Sequence, residues 1–130
     1  MDEQELLSRT KLFARRILGL VEALPHTRSG NIVAGQLGRS GTSVGADYRA
    51  VCRARSPADF VAKLGVVEEE ADESAFWMEL VIDGEMLPAG RVRPLWTEAD
   101  ALTAIMVASR KTVSGRMRKA KNENPKPECP

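Results

Sequence analysis

Gln36-Leu-Gly-Arg-Ser-Gly-Thr-Ser-Val-Gly-Ala-Asp-Tyr-Arg-Ala-Val51 is the stretch that decides how this chain folds. Ile32, Leu37, Val44, Tyr48 and Val51 supply the bulk of a helix here. Ala34, Gly35, Gly38, Ser40, Gly41, Ser43, Gly45 and Ala46 leave little side-chain volume between them. Each glycine inside a helix costs about 1 kcal/mol relative to alanine. Close approach by another backbone offsets such a loss, and either a helix of the same chain or a second copy can supply it. A four-helix core takes one stripe of a helix, whereas small residues here surround much of it. Phe76, Trp77 and Trp96 also exceed the bulk one slim bundle needs on a single side. Both features favour a homo-oligomeric contact, with Gly38, Gly41, Gly45 and Trp77 at the interface.

Outward from this segment the pattern stays helical. Leu6, Phe13, Ile17, Leu20 and Leu24, with Thr10 filling the gap, predict an amphipathic helix from about Glu3 to Leu24. Pro25 to Gly30 reads as a turn, with Ser29 able to cap a second helix from about Gly30 to Arg53. Ser56-Pro57-Ala58-Asp59 combines an N-cap serine, a first-turn proline and a carboxylate at the third position. Phe60, Leu64, Val67, Ala71, Met78 and Val81 continue that third helix, with Gly84 as its stop. Pro88 and Gly90 mark Glu85 to Arg93 as a loop. A fourth helix then starts near Arg91 or at Thr97, carries Val92, Leu95, Ala99, Leu102, Met106 and Val113 on one stripe, and frays by about Ala120. The expectation is an all-α, up-down-up-down four-helix bundle over residues 1–120, followed by a disordered tail over 121–130.

Composition narrows the function. The 130 residues suit one domain, and 19 Lys plus Arg against 18 Asp plus Glu leave no strong net charge. Two cysteines, Cys52 and Cys129, make no disulfide framework; Cys52 reads as a small buried core residue. An acidic N-terminal stretch and the lack of a long apolar run point to a cytoplasmic protein with no membrane contact. The carboxylates Glu68, Glu69, Glu70, Asp72 and Glu73 invite a di-iron reading, but that needs Glu-x-x-His pairs and the sequence has one histidine, His26. Gly38 to Gly45 fails as a phosphate loop, since Ala46 follows where lysine is required. No acid, base and nucleophile assemble, so neither an enzyme nor a metal or other cofactor is expected.

Charge is balanced in total but not along the chain. Leu64 to Gly90 holds eight acidic residues and no basic one, while Arg110 to Lys121 holds six basic residues and no acidic one. Those six are Arg110, Lys111, Arg116, Arg118, Lys119 and Lys121; Arg49, Arg53 and Arg55 form a second group at the end of helix two. Cations at helix C-termini complement the macrodipole, which is one sufficient explanation. The other is a phosphate-binding surface.

The motif Gln36-Leu-x-Arg-Ser-Gly-Thr-Ser-Val-Gly-Ala-x-Tyr-Arg49 is followed by Arg53-Ala-Arg-Ser-x-x-Asp-Phe-x-x-Lys-Leu64. Glu70-Ala-Asp-Glu-x-x-x-Trp-x-Glu-Leu80 and Ala108-Ser-x-Lys-Thr112 complete the set. With these motifs the chain resembles the bacterial four-helix bundle family that includes the large-subunit (23S) ribosomal RNA intervening-sequence proteins. The resemblance implies a homopentameric ring and a role linked to nucleic acid. Some members are encoded within insertions of ribosomal RNA genes, and related accessory proteins of diversity-generating retroelements bind nucleic acid and a reverse transcriptase. Asp47, Ala50 and Glu69 depart from the family's common Asn, Glu and Lys, making the surface more acidic or removing a polar partner. The expected function is a non-enzymatic oligomer binding RNA or another nucleic acid through basic helix ends. The alternative is a scaffold for a protein partner that docks on the acidic Glu68-to-Glu85 face or in the ring's centre.

Overall fold

The computed structural model describes residues 1–123, and they form four α-helices: α1 (Glu3–Ala23), α2 (Arg28–Val51), α3 (Pro57–Asp83) and α4 (Ala89–Glu123). Each helix packs on its neighbours in sequence, α1 also meets α4 along a thinner seam, and the diagonal helices stand farther apart across the core. That is the expected up-down-up-down bundle. The core is aliphatic: Phe13, Ile17, Leu37, Val44, Leu64, Val67, Met78, Val92, Leu102 and Met106 are fully buried. Burying each such side chain stabilises the fold by roughly 1.5–3 kcal/mol.

Caps explain where the helices begin. Asp2 accepts the Glu5 amide at 2.8 Å, and Ser56 accepts the Asp59 amide at 3.0 Å, as the Ser-Pro-Ala-Asp signature requires. Helix α2 differs from expectation: Thr27, not Ser29, is its N-cap, its hydroxyl accepting the Gly30 amide at 3.0 Å. The turn is so tight that a β-carbon on Gly30 would lie 2.0 Å from the Pro25 carbonyl oxygen. Glycine at that position lets the helix start two residues earlier.

Helix α3 ends in a Schellman pattern, with the Glu85 amide donating to Ile82 and the Met86 amide to Val81. Glu85, one residue after the expected Gly84, takes the left-handed conformation at φ 52°. Helix α4 starts at Ala89, before either expected position, because Val92 and Leu95 are buried and need the helix already wound beneath them. Pro94 lies inside it and forgoes one backbone bond. At the other end α4 runs to Glu123, so residues 121–123 of the tail expected over 121–130 are helical instead; the rest of that tail, 124–130, lies outside the described residues. Among the described residues, no helix is long and apolar enough to cross a membrane.

Candidate nucleic-acid interface

Alternating helix direction brings the start of α1, the end of α2, the start of α3 and the end of α4 to one pole. A depression of about 510 Å³ there is lined by Glu3, Val51, Cys52, Pro57, Phe60 and Val113, so all four helices contribute. Both basic clusters therefore share this pole, although 54 residues of sequence lie between Arg55 and Arg110.

The first cluster is arranged around the α2–α3 corner. Arg49 is exposed on the last turn of α2, Arg53 and Arg55 lie in the connection as the helix unwinds, and Lys63 follows on α3. With Ala46, Ala50 and Asp59 they line an open depression of about 610 Å³. Asp59 organises it: one carboxylate oxygen accepts both the Arg55 amide at 3.0 Å and the Lys63 ammonium at 2.9 Å. Those contacts, the Lys63 ammonium first, hold the Asp59 carboxyl below the usual carboxylate range. A second depression, of about 530 Å³, adjoins the first across Ala46 and Arg49 and reaches Lys11 and Ala14 of α1. Lys11 and Lys63 escaped the sequence reading. Lys63 is four residues beyond Asp59, a spacing that signals a helical ion pair, but nothing in the sequence shows that it shares a depression with Arg49.

The second cluster is looser. Arg110 is committed to the α3–α4 seam, its guanidinium donating to Glu68 at 3.0 Å, which takes it out of the outer patch. That pair and the Trp96 indole donating to Glu79 at 3.0 Å fix the register, bringing Arg116 to Lys121 level with the first turns of α3. Lys119 approaches Glu123 at 3.9 Å on the helix surface. Lys111, Arg116, Arg118 and Lys121 are exposed and make no ion pair among the described residues.

The small residues of α2 divide between two surroundings. Gly41 and Gly45 are buried inside the protomer against α1. A β-carbon on Gly41 would sit 2.6 Å from two Ile17 carbons, and one on Gly45 would sit 3.2 Å from the Thr10 carbonyl oxygen. The close neighbour inferred for these two glycines is thus α1 of the same chain, which corrects their reading as self-association surface. Ser40 is buried too, its hydroxyl 3.0 Å from that of Ser74 on α3. Gly38 is half-buried with only Val21 near, at 3.9 Å, and Gly35 faces open space. Trp77 is half-buried one turn beyond Glu73, which pairs with Arg39 across α2 and α3. Its indole N–H is buried and has no acceptor among the described residues.

Cys52 is half-buried against the core rather than enclosed in it. Burial first, then the Glu3 carboxylate, pushes its thiol up, away from the nucleophilic thiolate form. His26 lies in the α1–α2 turn, separated from Cys52 by the length of α2, about 36 Å. The carboxylates of α3 are spread over its surface, and Arg39 binds both Glu70, at 3.2 Å, and Glu73. Among the described residues, no three histidine, cysteine or carboxylate side chains converge as metal ligands.

No family model and no curated protein matches the chain. Its fold is similar to the crystal structure of a protein of unknown function from the S23 ribosomal protein family of Bacteroides thetaiotaomicron VPI-5482. The two are 29% identical with a TM-score of 0.78, over 85% of this chain and 99% of the other.

Proposed function

We propose that this protein is a non-enzymatic homo-oligomer, a ring of five helical bundles, that binds RNA or another nucleic acid at its basic pole. The observation that carries the binding reading is the meeting of two basic clusters, remote in sequence, at one end of the bundle. In a ring that pole repeats with each subunit, so modest contacts combine through multivalency. Lysine and arginine would contact phosphates, giving sequence-tolerant and salt-sensitive affinity. The S23 ribosomal protein family name of the structural neighbour is in keeping with an RNA partner.

Self-association has separate support. Ile32 on α2 is 62% exposed, and Phe76 and Leu80, one turn apart on α3, are 51% and 37% exposed. Trp77 packs edge-to-face on Phe76 with ring centroids 5.3 Å apart, which makes that face aromatic as well as aliphatic. A second copy covering this face would bury the apolar side chains. Binding without catalysis accords with the burial that pushes the Cys52 thiol up and with the distance of His26 from it.

A mobility-shift titration at 50 and 200 mM salt tests the binding reading. Four phosphate contacts predict a loss of roughly 50- to 150-fold in affinity across that range. Affinity independent of salt, or absent at 50 mM, rejects it. The scaffold reading keeps one favourable observation, the exposed Glu69, Asp72 and Asp83 on α3. A pull-down with and without nuclease separates the two, since a partner held through RNA is lost on digestion.

A further inference from the structure

The basic pole is not uniform, and the α2–α3 corner has the features of a built site. Its four cations come from three pieces of chain: Arg49 on α2, Arg53 and Arg55 in the connection, and Lys63 on α3. They face an open depression containing one carboxylate, Asp59. That carboxylate is already used, holding Lys63 and the Arg55 backbone in position at the rim. Arg49, Arg53 and Arg55 make no ion pair among the described residues. Like charges gathered from separate segments repel, and an anion between them removes that cost.

The floor matters as much as the rim. Ala46 and Ala50 present only methyl groups, and the depression continues over Ala46 past Thr42 to Lys11 of α1. The outward side of α2 is therefore low where cations from α1 and α3 stand on either flank. A chain of phosphates can lie across the helix there without meeting a bulky side chain.

We propose that this corner is a phosphate-binding site, and that the track from Lys63 and Arg53 across Ala46 to Lys11 seats the phosphodiester backbone of a nucleic-acid strand. The ligand rests on the nucleic-acid reading above; the location does not. Arginine takes a phosphate through two parallel N–H donors, so Arg49 and Arg53 supply the directed contacts. Lys11 and Lys63 act as point charges at the ends. The exposed cations of α4, all on one helix and without a concave partner, add long-range attraction.

The test uses the full chain in two assays at constant ionic strength: fluorescence anisotropy of a labelled single-stranded 20-nucleotide RNA, and thermal shift with inorganic phosphate. Arg49→Ala combined with Arg53→Ala is expected to weaken the RNA by about tenfold or more and to abolish the phosphate-induced shift. Arg116→Ala combined with Lys121→Ala is expected to cost about threefold at most. Asp59→Asn removes the one negative charge of the site while its amide oxygen can still accept the Arg55 amide, and is expected to tighten both ligands, a gain that misfolding cannot produce. RNA binding retained in the arginine variant and lost in the α4 variant overturns the proposal while leaving the nucleic-acid reading intact. A phosphate shift in the wild-type protein without RNA binding overturns that reading and the strand track, and assigns the corner to a free phosphate. Neither ligand binding overturns both.

Discussion

The two sides of α2 are built from the same kinds of residue and do opposite things. On the inner side Gly41 and Gly45 let α1 approach until Ile17 and the Thr10 backbone occupy the space a β-carbon would take. On the outer side Gly35 meets nothing, and Ala46 and Ala50 floor an open depression. A small residue is thus required by packing in one place and by emptiness in the other. Helix propensity penalises each glycine alike, so only the neighbours tell the two apart.

The largest effect expected from this contrast is at Gly41. Gly41→Ala gains about 1 kcal/mol of helix propensity but drives a methyl into buried Ile17, an overpacking cost of about 1–3 kcal/mol. The net result is destabilisation, and Gly41→Leu loses more; urea denaturation measures both. Ile17→Ala removes the two γ-carbons that the new methyl would meet, so it is expected to cost less in the Gly41→Ala background than in the wild type, and a double-mutant cycle with no coupling between the two positions breaks the inner-side account.

Gly35→Leu and Gly38→Leu probe the other side. Little in the protomer obstructs them, so the fold is retained. If a second copy covers this face, light scattering shows the assembly falling toward the 14.2 kDa protomer. An unchanged assembled mass would remove α2 from the interface. Gly35→Ala, with no neighbour to meet, is expected to raise stability by about 0.5–1 kcal/mol, opposite in sign to Gly41→Ala.

Glu85 supplies the converse case, a left-handed backbone position without glycine. Glu85→Gly relieves that conformation and is expected to add about 0.5–1 kcal/mol. A loss of stability there would contradict the Schellman ending of α3.

Tyr48 reports on the inner side by titration. It is the chain's one tyrosine, and burial first, then the nearby Cys52 and the acidic start of α1, push its hydroxyl up to about 12. In the unfolded chain it ionises near 10.0, so above that pH the unfolded state releases the proton first. Its contribution to stability is complete below pH 10 and is lost as pH rises toward 12. Phenolate absorbance should stay silent through pH 10 in the native protein; an ordinary titration curve would mean that the α1–α2 seam is open at this end.

Much of the fold was legible because local rules governed it. Apolar spacing marked all four helices, and Ser56-Pro57-Ala58-Asp59 fixed the start of α3 through the cap that forms there. The N-cap at Thr27 was hidden because the tight turn at Pro25 sets it, and that depends on how α1 hands over to α2. The start of α4 was hidden because burial of Val92 against the bundle outweighs the breaking tendency of Gly90 and Pro94. The site was legible only in pieces. Arg49, Arg53 and Arg55 stood out as a group, while Lys11 and Lys63 joined them through packing and Arg110 left its group for Glu68.

By itself the sequence determined that four amphipathic helices form and that α2 is slim, because side-chain spacing and capping act over a few residues. Tertiary structure decided which glycine meets which neighbour and which cations stand together. Those outcomes depend on helix register and direction, set by the whole core at once, so no window of the sequence contains them.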